Sequence, residues 1–159
     1  MHRSPSLFGL CLLLVVGVGA SPAVAKERPF HGRVEATWDN VFDGFEPGGA
    51  TFVGGGPVTH MGKTKQTGIL FLSPIPNDNG LYPGYGSVTI TAANGDKLKF
   101  EYEGLLNPIT GEGTGTFTFT GGTGRFANAT GSGTFDASID VSLPDDQPMT
   151  VILNGKINY

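Results

Sequence analysis

Cysteine is almost missing from this 159-residue sequence: the single one, Cys11, sits in an apolar N-terminal stretch. Everything after that stretch therefore lacks a disulfide, a thiol nucleophile and a thiolate metal ligand. Histidine is nearly as scarce. Past residue 25 only His31 and His60 remain, and neither has a glutamate at the spacing of a helical zinc motif. No serine stands in a Gly-x-Ser-x-Gly elbow, and Gly54-Gly55-Gly56 lacks the lysine and following helix of a phosphate loop. Neither a cofactor nor a metal is expected. Asp39, Asp43 and Glu46, and the run Asn77-Asp78-Asn79-Gly80, do not follow the spacing of a calcium loop and read as ordinary turns. Positive charge is also in deficit: after residue 25, nine Lys and Arg face fourteen Asp and Glu, which argues against nucleic acid or an anionic membrane as partner.

Long apolar runs are absent except at the start. His2 and Arg3 precede an apolar run from Leu7 to Gly19, then Ser21-Pro22-Ala23-Val24-Ala25, the order of a secretory signal peptide. The run is shorter than the ~20 residues that span a bilayer. The expected organisation is a signal peptide over 1–25, cut after Ala25, and one domain over 26–159 that is secreted or periplasmic, with no membrane span after cleavage.

What is abundant is glycine, 26 in all, of which only Gly9, Gly17 and Gly19 fall in the leader. That is roughly twice the usual share of ~7 %. There is no triplet period, and aromatic and β-branched residues are plentiful, so neither collagen nor disorder fits. Alternation of period two dominates. Phe30, Gly32, Val34, Ala36 and Trp38 share one face of a first strand. Short β segments are expected at about 50–53 and 57–62, and a longer one at 65–72, with loops at 39–49 and 73–83. Asn94-Gly95, flanked by Val88, Ile90, Ala92 and by Leu98, Phe100, Tyr102, predicts a hairpin with a type I′ turn. Phe117 and Phe119 alternate with threonines, Phe135 to Val141 alternate likewise, and the chain closes on Met149 to Tyr159.

About eight antiparallel strands with one apolar face must close on themselves or pack as two sheets. An all-β closed barrel is expected, with a β-sandwich as the alternative. Glycines inside strands, namely Gly32, Gly68, Gly115, Gly133 and Gly155, suit the close approaches of a barrel. Trp38, Phe100, Tyr102, Phe117 and Phe119 fall on inward faces, where they either line a ligand cavity or fill it. The alternating run from Val151 to Tyr159 also describes the last strand of an outer-membrane barrel, but aromatic residues here lie mid-strand rather than in girdles at the rims.

Between two strands stands Gly121-Gly122-Thr123-Gly124-Arg125-Phe126-Ala127-Asn128-Ala129-Thr130-Gly131. The glycines open backbone angles closed to other residues, Arg125-Phe126-Ala127 has room for one helical turn, and Phe126 is placed to plug a barrel end, with small Ala129 and Gly131 letting the chain re-enter the sheet. The pattern resembles the signature of the allene oxide cyclase and dirigent barrels and of bacterial secreted proteins similar to them. Thr59-His60-Met61-Gly62-Lys63 resembles a Thr-His-x-Gly-Arg segment of those secreted proteins, with Lys63 in place of arginine. The resemblance implies an eight-stranded antiparallel barrel with an apolar interior, a possible homotrimer, and space for a small hydrophobic ligand. The catalytic residues of those families do not map onto this sequence, and no catalytic residue is assigned.

The leading expectation is an exported barrel that binds a small hydrophobic ligand or a protein partner without catalysis. The alternatives are an isomerase, cyclase or coupling-directing protein acting by confinement, and a structural protein with a packed barrel. Confinement chemistry needs an ionisable group inside, whereas Glu101 and Glu103 face outward if Phe100 and Tyr102 face inward. His60 is the one polar residue singled out as functional, with ring bonds to backbone near a turn as its leading expected part and catalysis as the alternative.

Overall fold

Alternation of apolar and polar residues recurs through the chain, and each repeat becomes a strand. The computed structural model describes residues 26–39, 44–45 and 49–159. The segment read as a signal peptide, 1–25, lies outside the described residues, as do Asp43 and Glu46. The strands are β1 (Arg28–Trp38), β2 (Ala50–Val58), β3 (Gly62–Leu72), β4 (Tyr82–Ala92), β5 (Lys97–Leu106), β6 (Glu112–Gly122), β7 (Thr130–Ile139) and β8 (Gln147–Asn158). Each pairs antiparallel with its neighbour in sequence, and β1 pairs with β8 to close the barrel. The sandwich alternative is therefore excluded.

Inward positions carry the core. In β1 Phe30, Val34, Ala36 and Trp38 are buried, while His31, Arg33 and Glu35 between them are exposed. Lys63, Lys65, Lys97, Lys99, Glu101 and Glu103 are exposed on β3 and β5. These outward positions are charged rather than apolar. No helix among the described residues is long and apolar enough to cross a membrane.

Two local expectations need correction. The segment read at 50–53 does not stop there: it runs on through Gly54-Gly55-Gly56 to Val58 as one strand, β2, while 59–61, read as part of a second segment at 57–62, form a turn and Gly62 opens β3. The triplet lies flat against its neighbours: a Cβ at Gly55 would stand 2.2 Å from the Thr64 carbonyl oxygen and one at Gly56 would stand 2.0 Å from that of Arg33. The second correction is the Asn94-Gly95 turn. Only Gly95 has positive φ, at 87°, whereas a type I′ turn needs it at both residues. The Gly95 N–H donates to the Ala92 carbonyl and the Ala92 N–H to that of Asp96, giving a three-residue loop with a left-handed glycine. Asn94 turns its side chain inward on the loop, its oxygen accepting the Asp96 N–H at 3.1 Å.

The barrel has two unlike ends. One, the long-loop end, carries the β1–β2, β3–β4, β5–β6 and β7–β8 connections, including the two longest in the barrel. The other carries the β2–β3 and β4–β5 turns, residues 26–28, Tyr159 and the glycine motif. At this second end the motif forms a single 3-10 turn, Gly124–Phe126. Gly121, at φ 100°, sits where the β5–β6 register slips by one residue, between Lys99 and Phe100. Gly122 lies so close to β5 that a Cβ would stand 1.9 Å from the Lys97 carbonyl oxygen. Thr123 ties the turn down, donating its N–H to that same oxygen and accepting the Lys97 N–H on its hydroxyl. Phe126 is fully buried with its ring 4.9 Å from that of Tyr159, and buried Ala129 and Gly131, at φ 125°, lead into β7.

Candidate functional site

The interior divides along the barrel axis. Toward the motif end, Phe30, Phe117 and Phe119 pack edge to face at centroid separations of 4.9 to 5.9 Å, and Phe100 joins them at 5.1 Å from Phe117. Their rings need room, and inward glycines supply it. Gly133 and Gly155, neighbours on β7 and β8, lie beneath the Phe117 ring, whose tip would stand 2.5 and 3.1 Å from a Cβ at each. Phe135 lies likewise over Gly115 and Gly104, and Phe52 over Gly68. The half that holds Phe30, Phe117 and Phe119 is filled, whereas Phe52 and Phe135 belong to the other half.

Toward the long-loop end the packing opens into a half-open cavity of about 80 Å³. Its walls include Trp38 and Phe52, whose rings tilt together at 4.5 Å, Leu70 and Leu72 from β3, Phe135 from β7 and Met149 from β8. Of the five aromatics expected inside, Trp38, Phe100 and Tyr102 line this cavity. Phe117 and Phe119 do not, because they belong to the filled half. Phe45 and Tyr82 meet near the mouth, with rings 5.2 Å apart.

Among the described residues the lining carries no Asp, Glu, Lys, Arg or His. Three lining side chains bear polar atoms. The Trp38 indole N–H points at the Met149 sulfur, and the Tyr102 hydroxyl donates to the Ile69 carbonyl at 3.0 Å. The third is Gln66, which the sequence reading missed. It is 3 % exposed, and its amide nitrogen reaches only the Thr64 hydroxyl oxygen, at 3.5 Å. The signal was available: Gln66 shares the inward parity of Leu70 and Leu72 on a strand that reads as amphipathic.

Burial pushes the Tyr102 phenol well above its ordinary value. The folded barrel thus prefers the neutral phenol, so this group's contribution to stability is complete below the ordinary tyrosine value of 10.0 and is lost as pH rises past it. Urea unfolding at about pH 8 and about pH 11 should show a steeper loss for the wild type than for Tyr102→Phe. At the lower pH the variant should be less stable by about 1 kcal/mol, for want of the bond to Ile69. Equal slopes would show that the phenol is hydrated.

A second, larger and more open groove, about 530 Å³, runs over the outside of β3 to β6 beside the stacked rings of Phe71 and Tyr85. Its polar groups, Ser87, Glu101, Glu103, Thr116 and Thr118, are exposed. Size does not make it the better site: only the inner cavity removes a guest's apolar surface from water on most sides.

His60 lies at the opposite end from the cavity. Its backbone has φ 66°, its Nε2–H donates to the Pro29 carbonyl at 2.8 Å, and its ring lies 5.7 Å from that of Tyr159. Thr59 before it exchanges bonds with His31, whose N–H donates to the Thr59 hydroxyl and whose carbonyl accepts the Thr59 N–H. Arg125, which the sequence reading left without a part, donates to the His60 carbonyl and stands 3.8 Å from the Asp96 carboxylate. The two motif segments, far apart in sequence, thus meet in one cluster of turns. Among the described residues no group of three or more His, Cys, Asp or Glu is placed to hold a metal. In the Asn77–Leu81 loop the Asn77 side-chain oxygen accepts the N–H groups of Asn79 and Leu81.

No protein-family model matches the chain, and no curated protein matches it. Among solved structures it is similar to a pterocarpan synthase dirigent protein, at 16 % identity and a TM-score of 0.45, over 84 % of this chain and 86 % of that one.

Proposed function

We propose that this chain is an exported barrel that takes a small hydrophobic molecule into the cavity at its long-loop end, without covalent chemistry of its own. One observation carries the reading: an apolar, half-open cavity with no charged side chain in its described lining, in a barrel whose other half is packed solid. Tyr102 is the only ionisable lining residue described, and a phenol held neutral by burial is a poor acid or base near neutrality. The volume suits a compact guest or the end of a longer one projecting from the mouth. Met149, being flexible, lets the wall adjust.

Trp38 is the only tryptophan and lies in the wall, so its emission reports occupancy directly. Titration with small apolar molecules should change that emission saturably and raise the thermal midpoint, since a guest at 100 times its Kd adds about 2.7 kcal/mol. Ala137→Leu, which fills the cavity from β7, should abolish both responses while the barrel stays folded. No emission change and no thermal shift across the panel would overturn the reading.

A further inference from the structure

The cavity has one polar opening in its hydrogen bonding, and it lies at the deep end. Across the sheet, Ala36, Gly54, Gln66 and Ile90 form one inward row, while Trp38, Phe52, Gly68 and Val88 form the next row toward the mouth. Gln66 therefore sits below the aromatic wall. Thr64 is deeper still, and its hydroxyl hydrogen is committed to the Gly56 carbonyl at 2.8 Å. That commitment orients the carboxamide: Thr64 has only a lone pair to offer, so Gln66 must present Nε2 toward it and its oxygen elsewhere. Among the described residues no donor reaches that oxygen. The other two polar lining groups, the Trp38 indole and the Tyr102 hydroxyl, have already placed their hydrogens.

We propose that the cavity selects a neutral, compact, mostly apolar molecule bearing one hydroxyl group, whose hydrogen is donated to the Gln66 carboxamide oxygen. The inference rests on the cavity being a ligand site. With no protein donor, a carboxamide oxygen in the cavity lining must be served by water when the cavity is empty, so a guest that supplies a donor gains over an isostere that cannot. A charged guest is disfavoured because the described lining holds no counter-charge.

Cyclopentanol and methylcyclopentane, matched in size, separate the two claims. Followed by Trp38 emission, the wild type should bind the alcohol about tenfold more tightly after correction for their different hydration. Gln66→Met should erase or reverse that preference while still binding the hydrocarbon. The side-chain carbonyl carbon of Gln66 should also shift in the NMR spectrum of the wild type with the alcohol and not with the hydrocarbon, a readout that needs no variant to fold. Equal corrected affinities with no carbonyl shift would overturn the hydroxyl preference and leave the cavity reading standing, with water as the oxygen's partner. Binding of neither probe would overturn both.

Discussion

Gly133→Ala should destabilise the barrel by about 3 kcal/mol, an overpacking cost at the upper end of the usual range. For a domain of this size that lowers the thermal midpoint by roughly 10 °C. The added methyl would stand 2.2 Å from the Asn154 carbonyl oxygen, 2.5 Å from the tip of the Phe117 ring and 2.7 Å from the Gly155 Cα. Two of those neighbours are backbone in a closed ladder, so moving the ring alone cannot relieve the contact. Phe117 itself is 1 % exposed and has nowhere to go, hemmed by Phe30, Phe100 and Phe119. In a Phe117→Leu background the same methyl should cost less, because one of its three conflicts is softened. The two changes should therefore be non-additive by at least about 0.5 kcal/mol. Thermal melts of the four proteins check this. A midpoint for Gly133→Ala within about 2 °C of wild type would show that the strands can spread at this rung.

Phe126→Ala should cost about 3–5 kcal/mol, the range for deleting a fully buried aromatic side chain. The ring has no exposed surface, packs on Tyr159, and lies under the Arg125 guanidinium at 4.9 Å. Its loss opens the motif end of the barrel. Arg125→Ala, by contrast, removes bonds that face solvent, to the His60 carbonyl and the Asp96 carboxylate, and should cost no more than about 1 kcal/mol. Urea unfolding at constant slope measures both. Trp38 emission in the folded Phe126→Ala protein should match the wild type, since tryptophan and motif lie at opposite ends. A changed emission would mean that the two ends communicate through the aromatic cluster.

Much of the fold was legible because burial on one face of a strand writes itself as alternation. Phe30 to Trp38 and Val88 to Tyr102 show it plainly, and the number of such runs led to eight strands. The reading failed where glycine has two physical uses. Gly54-Gly55-Gly56 looks like a flexible connection, yet a strand pressed against both neighbours has the same composition, and only the neighbouring carbonyls distinguish them. Asn94-Gly95 failed for a related reason: the pair serves both a two-residue turn and a three-residue one, and the choice depends on where Ala92 and Asp96 pair.

The interior was legible only in part. Alternation places Trp38, Phe100, Tyr102, Phe117 and Phe119 inside but says nothing of height along the barrel axis. The axis decides which of them wall a cavity and which plug the barrel. Inward glycines beneath Phe117 and Phe135 are the counterpart of those rings, a pairing invisible until the register is known. Gln66 was the readable residue that went unread, a carboxamide at an inward position between Thr64 and Gly68.

The join between β1 and β8 bears on the order of events in folding. Every other ladder links strands adjacent in sequence, but this one pairs Arg28 with Ile157 and Trp38 with Gln147, across nearly the whole chain. A chain made only as far as Ile139 can curl into a seven-stranded sheet, but it has two raw edges, each a template for pairing with another chain. β8, pairing with both β1 and β7, removes both edges at once. Closure must wait for β8, a slow, long-range step before which the partial sheet is prone to aggregate.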